Sequence, residues 1–192
     1  MGCSCKECLI LKLIYALKMS VINKVLKFTQ KIPEPVWAPI SITVILSIPG
    51  ALAIIFSQPW LFPSLGPTAY LQSHKVKDRS TKLYNVLMGN YLAIAAGYAG
   101  LFIYEAQNSP GLFTSGILTG ERFFASITAT FFMSIAHQLM KISEPSAAAT
   151  LLLITLGSFK PVEKDFLALF VEITVVGIFG ELIRYLRIGK VS

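Results

Sequence analysis

The chain of 192 residues is 54% hydrophobic and only 14% charged, whereas soluble globular domains carry roughly 25% charged residues. So few polar side chains cannot coat a soluble globule of this length. All three cysteines lie among the first eight residues, which excludes a secreted scaffold stapled by disulfides. The remaining class is an integral membrane protein with one membrane domain. Its formal net charge of +7 indicates a basic cytoplasmic face rather than nucleic-acid binding.

Residues 1–36 form a separate segment ahead of the apolar stretches. On a helical wheel the apolar side chains take one side and most polar ones share the opposite arc, although Lys18 and Leu13 break the pattern. These polar residues are Lys12, Ser20, Asn23, Lys24, Lys27 and Lys31. The segment is therefore predicted to be a cytoplasmic tail and a basic amphipathic helix on the membrane surface, held by anionic lipid. A cleavable signal peptide is the alternative, but lysines recur within the apolar part and no small-residue cleavage site follows.

Three cysteines begin this segment at ligand-like spacing: Cys3, Cys5 and Cys8. A tetrahedral zinc site needs a fourth ligand, and no histidine lies nearby in the sequence. Dual acylation at Gly2 and Cys3 is another interpretation, although Lys6 stands where Ser or Thr is expected. We expect reduced thiols on a cytoplasmic tail, with no metal and no cofactor.

Residues 37–192 are predicted to form an all-α membrane domain. Four stretches are long enough to span a bilayer, which takes about 20 apolar residues. These stretches are Trp37–Ser57, Tyr84–Glu105, Ile117–Met140 and Phe166–Arg187. Two shorter apolar stretches, Leu61–Gln72 and Pro145–Phe159, lie between them. Prolines and a glycine interrupt the first of these two, which favours a short, broken helix.

The charges of the loops indicate whether the two short stretches cross the membrane. If both are re-entrant, the loop from His74 to Lys82 lies outside with four positive charges, against the positive-inside rule. If both cross as broken or tilted helices, this loop, the N-terminal lysines and the basic C-terminal tail all lie inside. We therefore predict six crossings of a multi-pass membrane protein with both termini cytoplasmic.

An internal repeat supports six crossings. Pro63-Ser-Leu-Gly-Pro-Thr68 is similar to Pro145-Ser-Ala-Ala-Ala-Thr150, 82 residues later, and both halves have the same order of long and short stretches. Repeat one is predicted over residues 37–105 and repeat two over residues 117–187. Three crossings in each half orient the halves oppositely, which gives an inverted repeat of a kind common in transporters. Chance similarity between two helices rich in small residues is the alternative.

Three segments carry a family resemblance. One is Phe62-Pro-Ser-Leu-Gly-Pro-Thr-Ala-Tyr-Leu-Gln72, and Asn85-Val-Leu-Met-Gly-Asn90 follows it after a basic loop. The third is Ser143-Glu-Pro-Ser-Ala-Ala-Ala-Thr-Leu-Leu152, which continues to Gly157-Ser158. Together they resemble the HPP family of small integral membrane proteins, over almost the whole membrane part.

The third segment is similar to the family's signature, which reads His-Pro-Pro followed by small residues, an Ala-Thr and a Leu-Leu. Here Ser143 and Glu144 replace the His and the first Pro, and Pro145 is retained. Members of the family in cyanobacteria and chloroplasts are associated with nitrite transport. The resemblance therefore implies transport of a small anion.

The two short helices are the predicted substrate site. A helix that begins inside a membrane leaves backbone N–H groups without partners, and this positive end can hold an anion beside a wet cavity. Both short stretches carry hydroxyl donors and small residues near their beginning. The candidates are Ser64, Gly66, Thr68, Ser146 and Thr150. The alternative is that these residues only pack, because small-xxx-small patterns are ordinary at helix contacts.

Three polar or ionisable residues inside the long spans complete the candidate site. Glu172 lies within the last span, and the 82-residue offset pairs it with Asn90. Arg122 lies near the outer end of the third span. One interpretation is a partial ion pair with Glu172, with Arg122 attracting anions at an outer vestibule. The alternatives are interfacial snorkelling for Arg122, and a buried hydrogen bond or proton coupling for Glu172.

We predict a channel or transporter for a small inorganic anion, with nitrite implied only by the resemblance. We expect no enzyme, because the sequence has no Walker loop, dinucleotide fingerprint or metalloprotease motif. The alternative function is a non-transporting scaffold or assembly subunit that recruits a partner through the N-terminal helix. The expected partners are small anions and anionic lipids, with a homo-oligomer left open and no nucleic acid.

Overall fold

The computed structural model describes residues 24–57 and 61–189. The predicted tail with its three cysteines, and most of the predicted amphipathic helix, lie outside the described residues. The described part of that helix is α1, residues 24–31.

Helix α1 is tied to the C-terminal end of the last helix. Thr29 is 8% exposed, and Arg187 Nη1 donates to Thr29 O at 2.6 Å and to Ile32 O at 2.8 Å. The guanidinium carbon of Arg187 also lies 5.4 Å from the centre of the Trp37 ring. These contacts join the end of α1 to the membrane domain next to Trp37, the first residue of the first predicted span.

The regular structure of the described residues is helical throughout. After α1 follow α2 (Glu34–Phe56), α3 (Leu65–His74), α4 (Leu83–Ile103), α5 (Leu112–Ser115), α6 (Gly120–Leu139), α7 (Ser146–Thr155) and α8 (Glu163–Ile188). The four long helices and the two ten-residue helices form at the predicted stretches, with shifted ends. This confirms an all-α membrane protein.

The long helices differ in apolar content. In the described part of the chain, three helices are long and apolar enough to cross a membrane: α2, α4 and α8. Helix α6 has 20 residues but is not one of these three, because Arg122, His137 and Gln138 dilute its apolar side chains. Its phenylalanines nevertheless face outward, with Phe131 61% and Phe132 57% exposed. Such an outward apolar face suits contact with lipid.

Helices α3 and α7 are too short to span a bilayer. Each has ten residues, about 15 Å of helix, whereas the hydrocarbon core of a bilayer is about 30 Å thick. Proline precedes both: Pro63 stands two residues before α3, and Pro145 is the residue before α7. Proline suits the beginning of a helix, where its missing N–H is not needed.

The long helices enclose the short ones. Helices α4 and α8 pack against each other, α4 also packs against α6 and α7, and α8 against α2 and α3. Helix α2 packs against α3, α6 against α7, and α3 touches α7. Both short helices are therefore held between a long helix of their own half of the chain and one of the other half.

Small residues bring α4 close to α6. A Cβ atom on Gly100 would lie 2.8 Å from Ala125 O and 3.0 Å from Ala129 Cβ. Both Ala125 and Ala129 are buried, and they lie one helical turn apart. This is the small-residue contact by which membrane helices approach closely.

We predict that Gly100→Ala destabilises the protein by about 1–3 kcal/mol, because the added methyl group overpacks a backbone contact that cannot yield. Gly120→Ala is the matched control, since a Cβ atom at Gly120 would meet nothing within 4 Å. Thermal unfolding in detergent measures both. Equal melting temperatures for the two variants would show that the α4–α6 contact is not close.

Candidate functional site

The first turns of the two short helices meet inside the protein. Thr68 Oγ1 of α3 lies 2.5 Å from Ser146 Oγ of α7. Thr68 is 0% and Ser146 1% exposed, so this hydroxyl pair is closed to solvent. The structure therefore brings together one predicted site residue from each short helix.

The side chain of Glu144 bonds to both hydroxyls of this contact. Its Oε1 accepts hydrogen bonds from Thr68 Oγ1 at 3.1 Å and from Ser146 Oγ. Glu144 is 4% exposed, and a Cβ atom on Gly89 of α4 would lie only 2.5 Å from Glu144 Cβ. A glycine at position 89 thus lets α4 lie directly against the carboxylate-bearing loop.

A second polar pair lies one turn further along α7. Thr150 Oγ1 donates to Asn90 Oδ1 at 2.7 Å, and Asn90 Nδ2 donates to Val86 O at 2.9 Å. Thr150 and Asn90 are both 0% exposed. The predicted residues Asn90 and Thr150 are therefore direct partners, and the amide of Asn90 has bonds on both its atoms.

Glu172 lies at the beginning of the other short helix. Its Oε1 accepts from the backbone N–H of Phe62 at 2.8 Å, three residues before α3 begins. Glu172 is 1% exposed, and its Oε2 has no hydrogen-bond partner among the described residues. Both short helices therefore have a buried carboxylate near their N-terminal end, Glu172 for α3 and Glu144 for α7.

The two remaining candidates on α3 differ in their surroundings. Ser64 is buried, at 2% exposure, directly before the helix begins. Gly66 is half-buried, and a Cβ atom there would meet nothing within 4 Å. The space beside the first turn of α3 is therefore open at Gly66.

Polar side chains continue from the central contact along both short helices. The buried ones are Ser64 directly before α3, Thr68, Gln72 and Ser73 on α3, and Ser146, Thr150 and Thr155 on α7. Neither amide atom of Gln72 nor the hydroxyl of Ser73 has a hydrogen-bond partner among the described residues. Unsatisfied buried polar groups are rare in proteins and call for an explanation. Together these side chains form what we call the polar seam.

One end of the polar seam reaches a cavity of about 660 Å³, which we call the α3-end cavity. Ser73 lines it, together with the charged or titratable residues His74, Lys75, Lys77, Arg187, Glu34 and Asp78. The backbone N–H of Ser80 donates to the Asp78 carboxylate at 2.9 Å and holds the pKa of Asp78 below its usual value. Positive groups outnumber the two carboxylates in this cavity.

The other end of the polar seam lies near a cavity of about 440 Å³, which we call the α7-end cavity. Its cations are Arg122 and Lys160, and it is also lined by Gln107 and Asn108. Lys160 precedes α8, whereas the α3-end cavity is lined by Arg187 near the end of α8. Since α8 has 26 residues, about 39 Å of helix, the two cavities lie at opposite ends of the molecule.

Arg122 is fixed at the C-terminal end of α7. Its guanidinium donates to Thr155 O at 2.8 Å, to Ser109 O at 2.6 Å and to Pro110 O at 2.8 Å. Carbonyl oxygens at a helix end carry partial negative charge, which a cation stabilises. Arg122 is 4% exposed, so it does not snorkel to the surface, and no ion pair between Arg122 and Glu172 forms in the described structure.

Sequence reasoning missed Glu144 as a site residue, because it treated this residue only as a departure from a signature. The available signal was an acidic side chain directly ahead of a short apolar helix, where a carboxylate stabilises the N-terminal end. It also missed Gln72, which lies against Gly180 of α8. Within the described ranges, no group of three or more His, Asp and Glu side chains is arranged to hold a metal ion.

We predict that Arg122→Met destabilises the protein by roughly 3 kcal/mol, because it leaves three carbonyl oxygens without their charged donor. Hydrogen exchange should rise first around the end of α7 and in the 106–111 loop. Lys160→Met is the control, since Lys160 lines the same cavity but is exposed. Unchanged exchange in Arg122→Met would show that Arg122 does not hold this end of α7.

Comparison with protein families identifies one match. The family model of the HPP transmembrane region matches residues 28–186. The match contains both short helices and the contact between them. Comparison with curated proteins finds no match, and neither does comparison with solved structures.

Proposed function

The chain belongs to the HPP transmembrane family, and from this premise we propose that it transports a small inorganic anion across a membrane. The observation that carries the proposal is the direct contact of Thr68 with Ser146, because it joins two short helices at a buried polar point. Membrane proteins tolerate such interrupted helices where they surround a binding site or a pathway. Nitrite is the substrate that the family resemblance implies. No catalytic role forms part of the proposal.

We propose six crossings in two inverted repeats, residues 37–105 and 117–187, with both termini cytoplasmic. Exchanging α2 with α6, α3 with α7 and α4 with α8 turns every main helix contact into another observed one. The buried positions of the short helices also correspond under the 82-residue offset. They are 64, 65, 68, 69, 72 and 73 in the first, and 146, 147, 150, 151, 154 and 155 in the second.

The polar seam is the proposed pathway. It runs from Ser73 at the α3-end cavity through Thr68 and Ser146 to Thr155 at the Arg122 end. Ser73 and Thr155 are 82 residues apart, as are Thr68 and Thr150. Hydroxyl and amide groups along this line can replace part of the hydration shell of a small anion, which hydrocarbon cannot do.

The charge distribution favours an anionic solute over a cation at both entrances. Lys75, Lys77 and Arg187 raise the potential at the α3-end cavity, and Lys160 and Arg122 do so at the other. Three cations face the two carboxylates Glu34 and Asp78 at the α3-end cavity, and among the described residues the lining of the α7-end cavity includes no carboxylate. An excess of positive charge in a cleft raises the local concentration of anions. The N-terminal ends of α3 and α7, which point to the centre, add partial positive charge.

The six-crossing topology predicts opposite sides for two loops. Single cysteines are placed at Lys77 and at Asn108, both exposed, in a protein whose native cysteines are replaced by serine. A membrane-impermeant maleimide applied to intact cells should label position 108 and leave position 77 unlabelled until the cells are opened. Labelling of position 77 from outside, with position 108 protected until the cells are opened, would contradict six crossings. Re-entrant short helices place the 74–82 loop outside, and α4 then carries the chain to the inside before residue 108.

Substituting both seam hydroxyls tests the transport proposal. Thr68→Val with Thr150→Val removes two buried donors of about 1 kcal/mol each, so we expect nitrite uptake into liposomes to fall about tenfold or more. Thr43→Val is the matched control, because Thr43 is exposed on α2 and bonds only to its own helix at Pro39 O. Uptake of nitrite, nitrate and chloride is measured for all three proteins.

Two results would count against transport. Equal uptake by the double variant and the control would show that the anion does not pass along the polar seam. Absence of protein-dependent uptake of all three anions would favour the alternative, a non-transporting scaffold.

A further inference from the structure

We propose that the carboxylate of Glu144 is a tethered occupant of the anion site and must take up a proton before a solute anion can take its place. The inference rests on the proposed function and adds to it: transport is coupled to protons. Glu144 accepts hydrogen bonds from the hydroxyls of Thr68 and Ser146, which lie at the middle of the polar seam. A solute anion would need the same two donors.

The N-terminal ends of both short helices are already occupied by carboxylates of the protein. Glu144 is the residue before Pro145, at the beginning of α7, and Glu172 receives the Phe62 N–H ahead of α3. Helix N-terminal ends attract anions, and here the protein supplies those anions itself. Because Glu144 bonds to both short helices while Glu172 bonds to one, Glu144 is the group that blocks the seam.

An ionised Glu144 and a solute anion exclude each other. Among the described residues, no Lys, Arg or His nitrogen lies within 4.0 Å of the carboxylates of Glu144 or Glu172. Two like charges about 4 Å apart repel by about 4 kcal/mol at an effective dielectric constant of 20, which is about a thousandfold in occupancy. An anion that reaches the polar seam from either cavity can therefore bind at Thr68 and Ser146 only when Glu144 is neutral.

The titratable groups around Glu144 are few. Helix α6 contributes His137, whose Nε2 lies 3.3 Å from Gly89 O, and the same loop contributes the exposed Lys141. From α3 and α7 the contacts are the hydroxyls of Thr68 and Ser146, and from α4 the neighbour is Gly89. Helix α8 contributes Glu172 on the side of α3. His137 and Glu144 therefore both lie against Gly89 of α4.

The proton balance is simple. A proton from the side of higher anion concentration binds Glu144, and the resulting carboxyl group releases the Thr68 and Ser146 hydroxyls to the anion. After the anion leaves towards the other cavity, the proton dissociates to that same side, and the carboxylate again accepts both hydroxyl hydrogen bonds. No covalent bond other than the O–H bond forms or breaks. The alternative role for Glu144 is structural, as a permanent N-terminal cap of α7.

The experiment compares wild type with Glu144→Gln, Glu144→Asp and Glu172→Gln in liposomes that contain a trapped pH dye. Nitrite and nitrate are the probes, and protein-free liposomes correct for diffusion of nitrous acid through lipid. For wild type we expect anion uptake to rise up to about tenfold for each unit of external pH decrease, together with acidification of the interior. Glu144→Gln should transport at a rate that is independent of pH, without proton entry.

Glu144→Asp and Glu172→Gln show which carboxylate causes the pH dependence of uptake. Glu144→Asp keeps the carboxylate and should keep the pH dependence, and Glu172→Gln, the second buried acid, should keep it as well. Retained pH dependence and proton entry in Glu144→Gln would overturn the proposal, as would their loss in Glu172→Gln alone. If Glu144→Gln does not fold, wild-type uptake without proton entry is still sufficient to overturn it.

Failure of this inference differs from failure of the proposed function. Anion uptake by wild type that is independent of pH leaves transport intact and removes the coupling. No uptake of either anion by wild type at any pH removes both.

Discussion

The buried contact among Thr68, Ser146 and Glu144 is the interaction on which the interior of this protein depends. A helix that begins in a buried interior has no water to satisfy its first N–H groups or its hydroxyls, and each unsatisfied group costs several kcal/mol. Helices α3 and α7 avoid this cost by meeting each other and by taking a carboxylate each. The groups that stabilise the centre are therefore the same groups that the proposed anion would contact.

The surrounding helices hold this centre by close backbone approach. Gly89 admits the loop that carries Glu144, and a Cβ atom on Gly180 would lie 1.8 Å from Gln72 Oε1. At the far end of α7, Arg122 neutralises three carbonyl oxygens. The position of α7 is thus set at both ends, by Glu144 at its beginning and by Arg122 at its end, while Glu172 holds the segment ahead of α3.

Most of the helices were predictable from sequence because each depends on local features: long apolar stretches and prolines ahead of the short helices. The contacts between side chains in the candidate site were harder to predict from the sequence. The pairing of Asn90 with Thr150 crosses 60 residues, and the offset had instead matched Asn90 with Glu172 as an equivalent position. Arg122 was predicted to lie near Glu172. Instead, Arg122 donates to three backbone carbonyl oxygens, and the Glu172 carboxylate lies beside the beginning of α3. Such contacts depend on how helices cross, which no local pattern encodes.

The central claim is that α3 and α7 meet at their first turns and that the pathway runs through that contact. Thr68→Cys with Ser146→Cys tests it in a protein whose native cysteines are replaced by serine, since the two hydroxyl oxygens lie 2.5 Å apart and sulfur atoms in their place are within reach of a disulfide. Oxidation should cross-link the two halves, seen as one band after cleavage in the 106–116 segment, and should stop anion uptake until a reductant is added. Efficient cross-linking with undiminished uptake, or no cross-link at all, would contradict the account.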